Sequence, residues 1–296
     1  MVEAIGDRVH EFEVGDHVVM SYAHCGHCSH CLSGYPTTCL NFNELNFGGH
    51  TEDGGHTHEL DGQPVSLFFG QSSFATYANV EEKNLVKVPK DLDLVKLAPL
   101  GCGIQTGAGT VLNAFDAKLG DSIVVLGVGA VGLSAIMAAK IAGYKHIIAV
   151  NRNDDKLEMA QHFGATDLIN NKHNPDIAAQ VKEITGGGAK YAIDTTGNTD
   201  IIVQGLHSLQ PRGELAVVGM NLDFQMNMQE DLMAEGKTLK GVIEGDSIPK
   251  LFIPELIEYY RQGQFPFDDM ITVFDFEDLQ RAFEERSIKP VVRISE

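Results

Sequence analysis

The string GVGAVG at residues 127–132 stands between the apolar run SIVVL and the alanine-rich stretch AVGLSAIMAAKIAG. No other feature constrains the fold as much, because it reads as strand, turn and helix in immediate succession. Gly127 permits the tight turn, Gly129 keeps a side chain out of a pyrophosphate's path, and Gly132 lets helix and strand approach closely. The amide groups of Ala130 and Val131 open the helix and face phosphate oxygens. Isolated, this motif is weak. Here the alternation continues: strands at IIAVN, TDLIN, YAIDTTG and ELAVVGM, helices at DDKLEMAQHFG, from Asp176 to Ile184 and at IIVQGLHSL. Such periodicity over about 120 residues predicts an α/β fold, a Rossmann doubly wound parallel sheet covered on both faces.

The end of the second strand usually carries an acid for the adenosine ribose hydroxyls, and Asn151 holds that place, nineteen residues beyond Gly132. Asn hydrogen-bonds a hydroxyl but lacks the charge that repels a 2'-phosphate. Arg152 beside it attracts that phosphate, stacks near adenine or faces solvent, and the residues alone leave these open. The expected coenzyme is NAD, with NADP as the alternative.

Four of the five cysteines, Cys25, Cys28, Cys31 and Cys39, are spaced C-x2-C-x2-C-x7-C. Four thiolates close a tetrahedral shell around one zinc and leave no position for a substrate. Redox use of CGHC is the rival, but it leaves Cys31 and Cys39 unexplained; an iron–sulfur centre and inert thiols are further alternatives. His24, His27 and His30 read as loop surface. His50, His56 and His58, in HTHE and its surroundings, imitate half a metal site but read as exposed loop histidines. Cys102 lies alone between LAPLG and GIQTG, where a buried packing thiol is the ordinary reading.

The opening third reads as irregular all-β, with short strands at DHVVM, SSFATYANV and LVKVP and a polar loop or loose hairpin from Asn41 to Gly62. Two helical pieces flank Gly101–Gly103. After TLKGVI come an amphipathic helix bounded by Pro249 and Gly263, a helix at FEDLQRAFEER and the strand PVVRIS. The expected division is 1–103, 104–243 and 244–296, the last segment returning to the first. With 22 Lys and Arg against 41 Asp and Glu, the net charge is −19, which argues against nucleic-acid and anionic-membrane partners. The start, MVEAIGDRVHEFEVGD, has no secretory pattern and no apolar run suits a membrane helix, so a cytoplasmic location is expected.

VEAIGDRVHEFEVGDHVV, CGHCSHCLSGYPTTC, LGCGIQTGAG, VVLGVGAVG and IKPVVRI together resemble the zinc-containing medium-chain alcohol dehydrogenases, in particular the aryl- or benzyl-alcohol dehydrogenase branch. The resemblance implies a GroES-like catalytic domain beside the Rossmann domain. It implies Cys25, Cys28, Cys31 and Cys39 as structural-zinc ligands and Cys102 as one ligand of a catalytic zinc. Thr106 matches a residue packing against nicotinamide, Lys289 a basic residue near the phosphates, and Phe68 or Phe69 the lining of an apolar alcohol pocket. The implied reaction oxidises a primary, benzyl-type alcohol to the aldehyde by hydride transfer to NAD, in a homodimer or homotetramer. In the family a cysteine and a GHE motif precede the point matched by MVEAIGD. The expectation is therefore a truncated GroES-like domain lacking its amino-terminal catalytic segment, with doubtful turnover. The alternatives are an inactive nucleotide-binding fragment or oligomerisation partner, and a polyol or short aliphatic alcohol dehydrogenase.

Overall fold

The computed structural model describes residues 1–220, 223–285 and 287–294. The chain divides into two compact units, one of Met1–Gln105, Ser247–Tyr259 and Phe267–Glu296, the other of Thr106–Asp246 and Tyr260–Pro266.

The first unit is built from small pieces. Strand β1 (Val18–Met20) pairs antiparallel with β4 (Leu85–Lys87), and a hairpin joins β2 (His58–Leu60) to β3 (Gln63–Val65). Helices α1 (Ser29–Leu32), α2 (Phe42–Phe47) and α3 (Leu94–Leu97) are short. The stretch expected as a loop or loose hairpin from Asn41 to Gly62 contains the helix α2 as well as the first strand of a hairpin that runs on to Val65. SSFATYANV forms no strand: Phe74 and Tyr77 are 64% and 73% exposed. Its alternating pattern meets no neighbouring strand, and a strand exists only with a partner for its amides.

The second unit follows the predicted alternation closely. α4 (Gly103–Gly109) leads towards β5 (Ser122–Leu126), α5 (Ala130–Ile141), β6 (His146–Asn151), α6 (Asp154–Phe163), β7 (Asp167–Asn170) and α7 (Ile177–Thr185). Then come β8 (Ala189–Asp194), α8 (Thr199–Ser208), β9 (Leu209–Val217) and β10 (Thr238–Gly241). The six strands are parallel in the order β10-β9-β8-β5-β6-β7. That order reverses direction beside β5, the place where such sheets bind ligands at their carboxyl edge.

Side-chain caps fix the helix starts: Asn153, Asp176 and Asn198 accept amides of Lys156, Ala179 and Ile201. Ile123, Val124, Val125 and Leu126 are fully buried, as expected of a central strand covered on both faces. α5 buries every residue from Gly132 to Ala139, and small residues let it approach the sheet. Truncating Leu126 to Ala there costs about 2–5 kcal/mol.

After β10 the chain enters α9 (Pro249–Arg261), β11 (Ile271–Asp275), α10 (Leu279–Glu284) and β12 (Lys289–Arg293), β11 and β12 pairing in parallel. Among the described residues no helix is long and apolar enough to cross a membrane.

Candidate functional site

The four clustered cysteines converge. Their sulfurs all lie within 4.8 Å of one another, with Cys25 Sγ to Cys31 Sγ and Cys28 Sγ to Cys39 Sγ each 3.9 Å. A tetrahedron with Zn–S bonds of about 2.3 Å requires sulfurs ~3.8 Å apart, so the donor set fits zinc. Disulfides require about 2.05 Å, and none forms among the five cysteines. α1 explains part of the geometry: Cys28 caps it and accepts the Cys31 amide at 3.5 Å. Further amides point at sulfur from Cys28 to Cys25 (3.3 Å), from Cys25 to Cys39 (3.4 Å) and from Asn41 to Cys39 (3.4 Å). Such donors stabilise thiolates around a metal.

The four thiols do not share one environment. The amides of Cys31 and Leu40 pull Cys28 down to about 6, whereas burial pushes Cys31 up to about 12 and also raises Cys39. A cation is what holds all four as thiolates together. Tyr22, Ala23, Phe42 and Leu45 pack against Cys25 and Cys39 and shield that side. The nearby histidines turn elsewhere: His27 Nδ1 bonds the Cys25 carbonyl and His30 Nδ1 the Thr38 hydroxyl, both at 3.0 Å. His50 Nε2 pairs with Glu44 at 2.8 Å.

At the carboxyl end of β5 the glycine turn forms a cradle. Gly127 has φ +92°, which only glycine adopts readily, and its carbonyl accepts the Thr195 hydroxyl at 3.1 Å. A methyl at Gly132 would stand 2.1 Å from the Gly127 carbonyl oxygen, so α5 can approach only without one. A methyl at Gly129 would meet nothing within 4 Å, which leaves room above the turn. No side chain caps α5, so the amides of its first turn, including Ala130 and Val131, remain for an anion. The turn therefore fits a pyrophosphate.

Asn151 ends β6, and its Oδ1 accepts the amides of Arg152 (2.7 Å) and Asn153 (3.1 Å). Its NH2 group is thus the half left to present, and Arg152 is exposed. Two acids escaped the sequence reading. Asp194, fully buried at the end of β8, accepts the Thr196 amide (3.1 Å) and hydroxyl (2.6 Å) and the Gly197 amide (2.9 Å). Burial raises its carboxyl, and those three bonds oppose the rise. Glu244 is 8% exposed and accepts the Thr106 hydroxyl at 3.4 Å. Each is a single acid, one closing a buried strand and the other just past β10, and no pattern in the sequence sets either apart.

The first unit holds a cavity of about 700 Å³ lined by Phe68, Phe69, Gln71, Phe74, Cys102 and Lys289 among others. Phe68 and Phe69 meet edge to face at 4.9 Å between ring centres. Cys102 is exposed there and not a buried packing thiol. Lys289 opens β12 in this unit, whereas the glycine turn and Asn151 belong to the other. Among the described residues the four-cysteine set is the only converging group of three or more His, Cys, Asp or Glu. The described residues thus supply no second set containing Cys102.

The fold and these sites define a nicotinamide-linked oxidoreductase with a four-cysteine set that fits zinc, and comparison with known proteins specifies the family. Residues 1–90 match the alcohol dehydrogenase GroES-like domain and residues 130–259 the zinc-binding dehydrogenase family. The chain belongs to the zinc-containing alcohol dehydrogenases and is an NAD(P)-dependent enzyme of that class. It is 39% identical to a geraniol dehydrogenase of Castellaniella defragrans, over 98% of this chain and 80% of that enzyme. The crystal structure of a benzyl alcohol dehydrogenase from Acinetobacter calcoaceticus superposes with a TM-score of 0.93 at 45% identity, covering 99% of this chain and 81% of that one. An alcohol dehydrogenase zinc-binding domain protein from Burkholderia ambifaria gives 0.94 at 42% identity, over 99% and 81%.

The expectation of a truncated GroES-like domain lacking its amino-terminal catalytic segment is corrected by these findings. Both family domains are matched, the GroES-like one over residues 1–90 and the zinc-binding dehydrogenase one over residues 130–259. That expectation leaned on the missing cysteine and GHE motif, whereas the family matches extend over whole domains.

Proposed function

We propose that the chain oxidises primary alcohols bearing a planar apolar group, benzyl alcohol being the reference, to the aldehyde with NAD as acceptor. The observation that carries this is the aromatic wall of the cavity, where Phe68, Phe69 and Phe74 stand near Cys102. Kinship with a benzyl alcohol and a geraniol dehydrogenase points the same way. Phenylalanine rings cannot hydrogen-bond extra hydroxyls, so a polyol entering this wall loses about 1–3 kcal/mol for each hydroxyl left unpaired. Ethanol covers too little of the wall to bind well. NADH formation measured with benzyl alcohol, geraniol, ethanol and sorbitol tests the reading. The aromatic and allylic alcohols are expected to give the higher kcat/KM, and a preference for sorbitol or ethanol overturns it.

The bound coenzyme supplies the hydride acceptor at nicotinamide C4. In this reading Gly127, Gly129, Ala130, Val131 and Gly132 hold its pyrophosphate, Thr106 packs against its nicotinamide, and Lys289 serves the phosphates. Asn151 offers an NH2 donor to the adenosine ribose and no charge against a 2'-phosphate, with Arg152 adjacent. The expected outcome is NAD preferred and NADP tolerated, with dissociation constants within about 100-fold, since the repulsion an Asp exerts is missing. Tighter NADP binding reverses the assignment. Residues 1–103 and 244–296 are proposed as the catalytic domain, 104–243 as the nucleotide domain, and a homo-oligomer as the working state, which sedimentation checks.

A further inference from the structure

The cavity in the first unit is larger than a single-ring alcohol needs. A void of about 150 Å³ suffices to hold benzene. This one measures about 700 Å³, so benzyl alcohol leaves most of it unfilled. Apolar space left empty forfeits contacts that a longer body would make. The aromatic lining also continues past the wall. Phe74 lines the cavity yet is 64% exposed, which puts it at the mouth. Its ring stacks on that of Phe283, with centres 6.5 Å apart and planes inclined by 29°. Phe283 belongs to α10, which packs against β12, and Pro290, Val291 and Val292 of β12 line the same cavity. The helix buries Ala282 and leaves Phe283 75% exposed. A ring so exposed contributes little to the fold, and the stacked pair prolongs the apolar surface outward from the cavity.

We propose that the cavity is built for alcohols whose apolar body is longer than one ring, with the far end lying against the stacked rings of Phe74 and Phe283. The inference rests on the aromatic-wall reading above and adds Phe283 to it as a specificity-determining residue. A second ring laid on that pair buries its own face and theirs, and ring–ring contact favours it beyond area alone. A single-ring alcohol reaches no further than the wall and gains nothing from Phe283.

Calorimetric titration of the zinc-loaded chain, in saturating NADH, with benzyl alcohol, cinnamyl alcohol and biphenylmethanol tests it. The native chain is expected to bind biphenylmethanol at least ~10-fold more tightly than benzyl alcohol, with cinnamyl alcohol between them. Phe283→Ala is expected to shrink that ratio about fivefold, and Phe283→Tyr, which keeps the ring, to restore it. Truncation of so exposed a side chain leaves the fold intact, which circular dichroism checks. An unchanged ratio in Phe283→Ala overturns the proposal, and so does equal weakening of all three alcohols, the mark of a general structural role. A native chain that binds benzyl alcohol but gains nothing with length overturns the proposal and leaves the functional reading standing. A native chain that binds none of the three overturns both.

Discussion

The cysteine lobe and the nucleotide-binding unit reach order by different means. Between Cys25 and Cys39 the chain has one four-residue helix and a single 3-10 turn, with a small apolar cluster behind the sulfurs. The nucleotide unit instead buries a continuous core from both faces of a six-stranded sheet, including Val124, Leu126, Ile148, Val150, Ile202 and Leu215. Apolar burial at about 25 cal/mol per Å² sustains the second without help. The lobe has too little of it, and bonds to a metal take over what packing cannot supply. One region is therefore sensitive to ligand chemistry, and the other to volume.

The largest expected effect comes from breaking the lobe. Cys39→Ser removes one of four donors from a closed shell, and bound zinc should fall from about one per chain to near zero. Calorimetry should show the first transition lowered on the order of 10 °C, because metal binding is folding free energy here. NADH affinity should change far less, since the glycine turn belongs to the other unit. Full zinc retention by the serine variant would contradict the four-thiolate assignment. The converse substitution is Gly132→Val, whose Cβ would already stand 2.1 Å from the Gly127 carbonyl oxygen. Separating α5 from β5 should cost about 1–3 kcal/mol of stability and weaken NADH at least ~30-fold, with zinc content unchanged. Loss of zinc in that variant would mean that the two regions are not independent.

The same contrast explains what was legible in the sequence. The nucleotide unit has long apolar runs, so its strands and helices were legible locally, and in the structure Asn153, Asp176 and Asn198 cap three of those helices. The cysteine spacing was equally direct, because ligand geometry is a local constraint. SSFATYANV misled because strand pairing depends on a partner elsewhere in the chain. The helix Phe42–Phe47 was hidden by flanking asparagines and glycines that read as a loop. Asp194 and Glu244 were not legible at all as site residues. Single acids carry no pattern, and their meaning appears only when the sheet brings its carboxyl edge together.

Asp194 sharpens the comparison most finely, because it is a carboxyl fully buried in the volume-governed unit. Its carboxylate holds the turn Thr196–Gly197, while Thr195 reaches the carbonyl of Gly127. Burial raises its carboxyl above the ordinary value. The native state thus binds this proton more firmly than the unfolded chain does. The contribution to stability is accordingly greatest below the unfolded carboxyl value, near 4, and declines as pH rises through the higher folded value. Asp194→Asn cannot titrate and loses one acceptor for the Gly197 amide, at a cost of about 1–2 kcal/mol at neutral pH. Melting both proteins at pH 7 and pH 4.5 should show the native advantage growing by a few degrees in acid. An advantage that shrinks in acid would mean that the folded carboxyl is lowered, its three hydrogen bonds outweighing the loss of water.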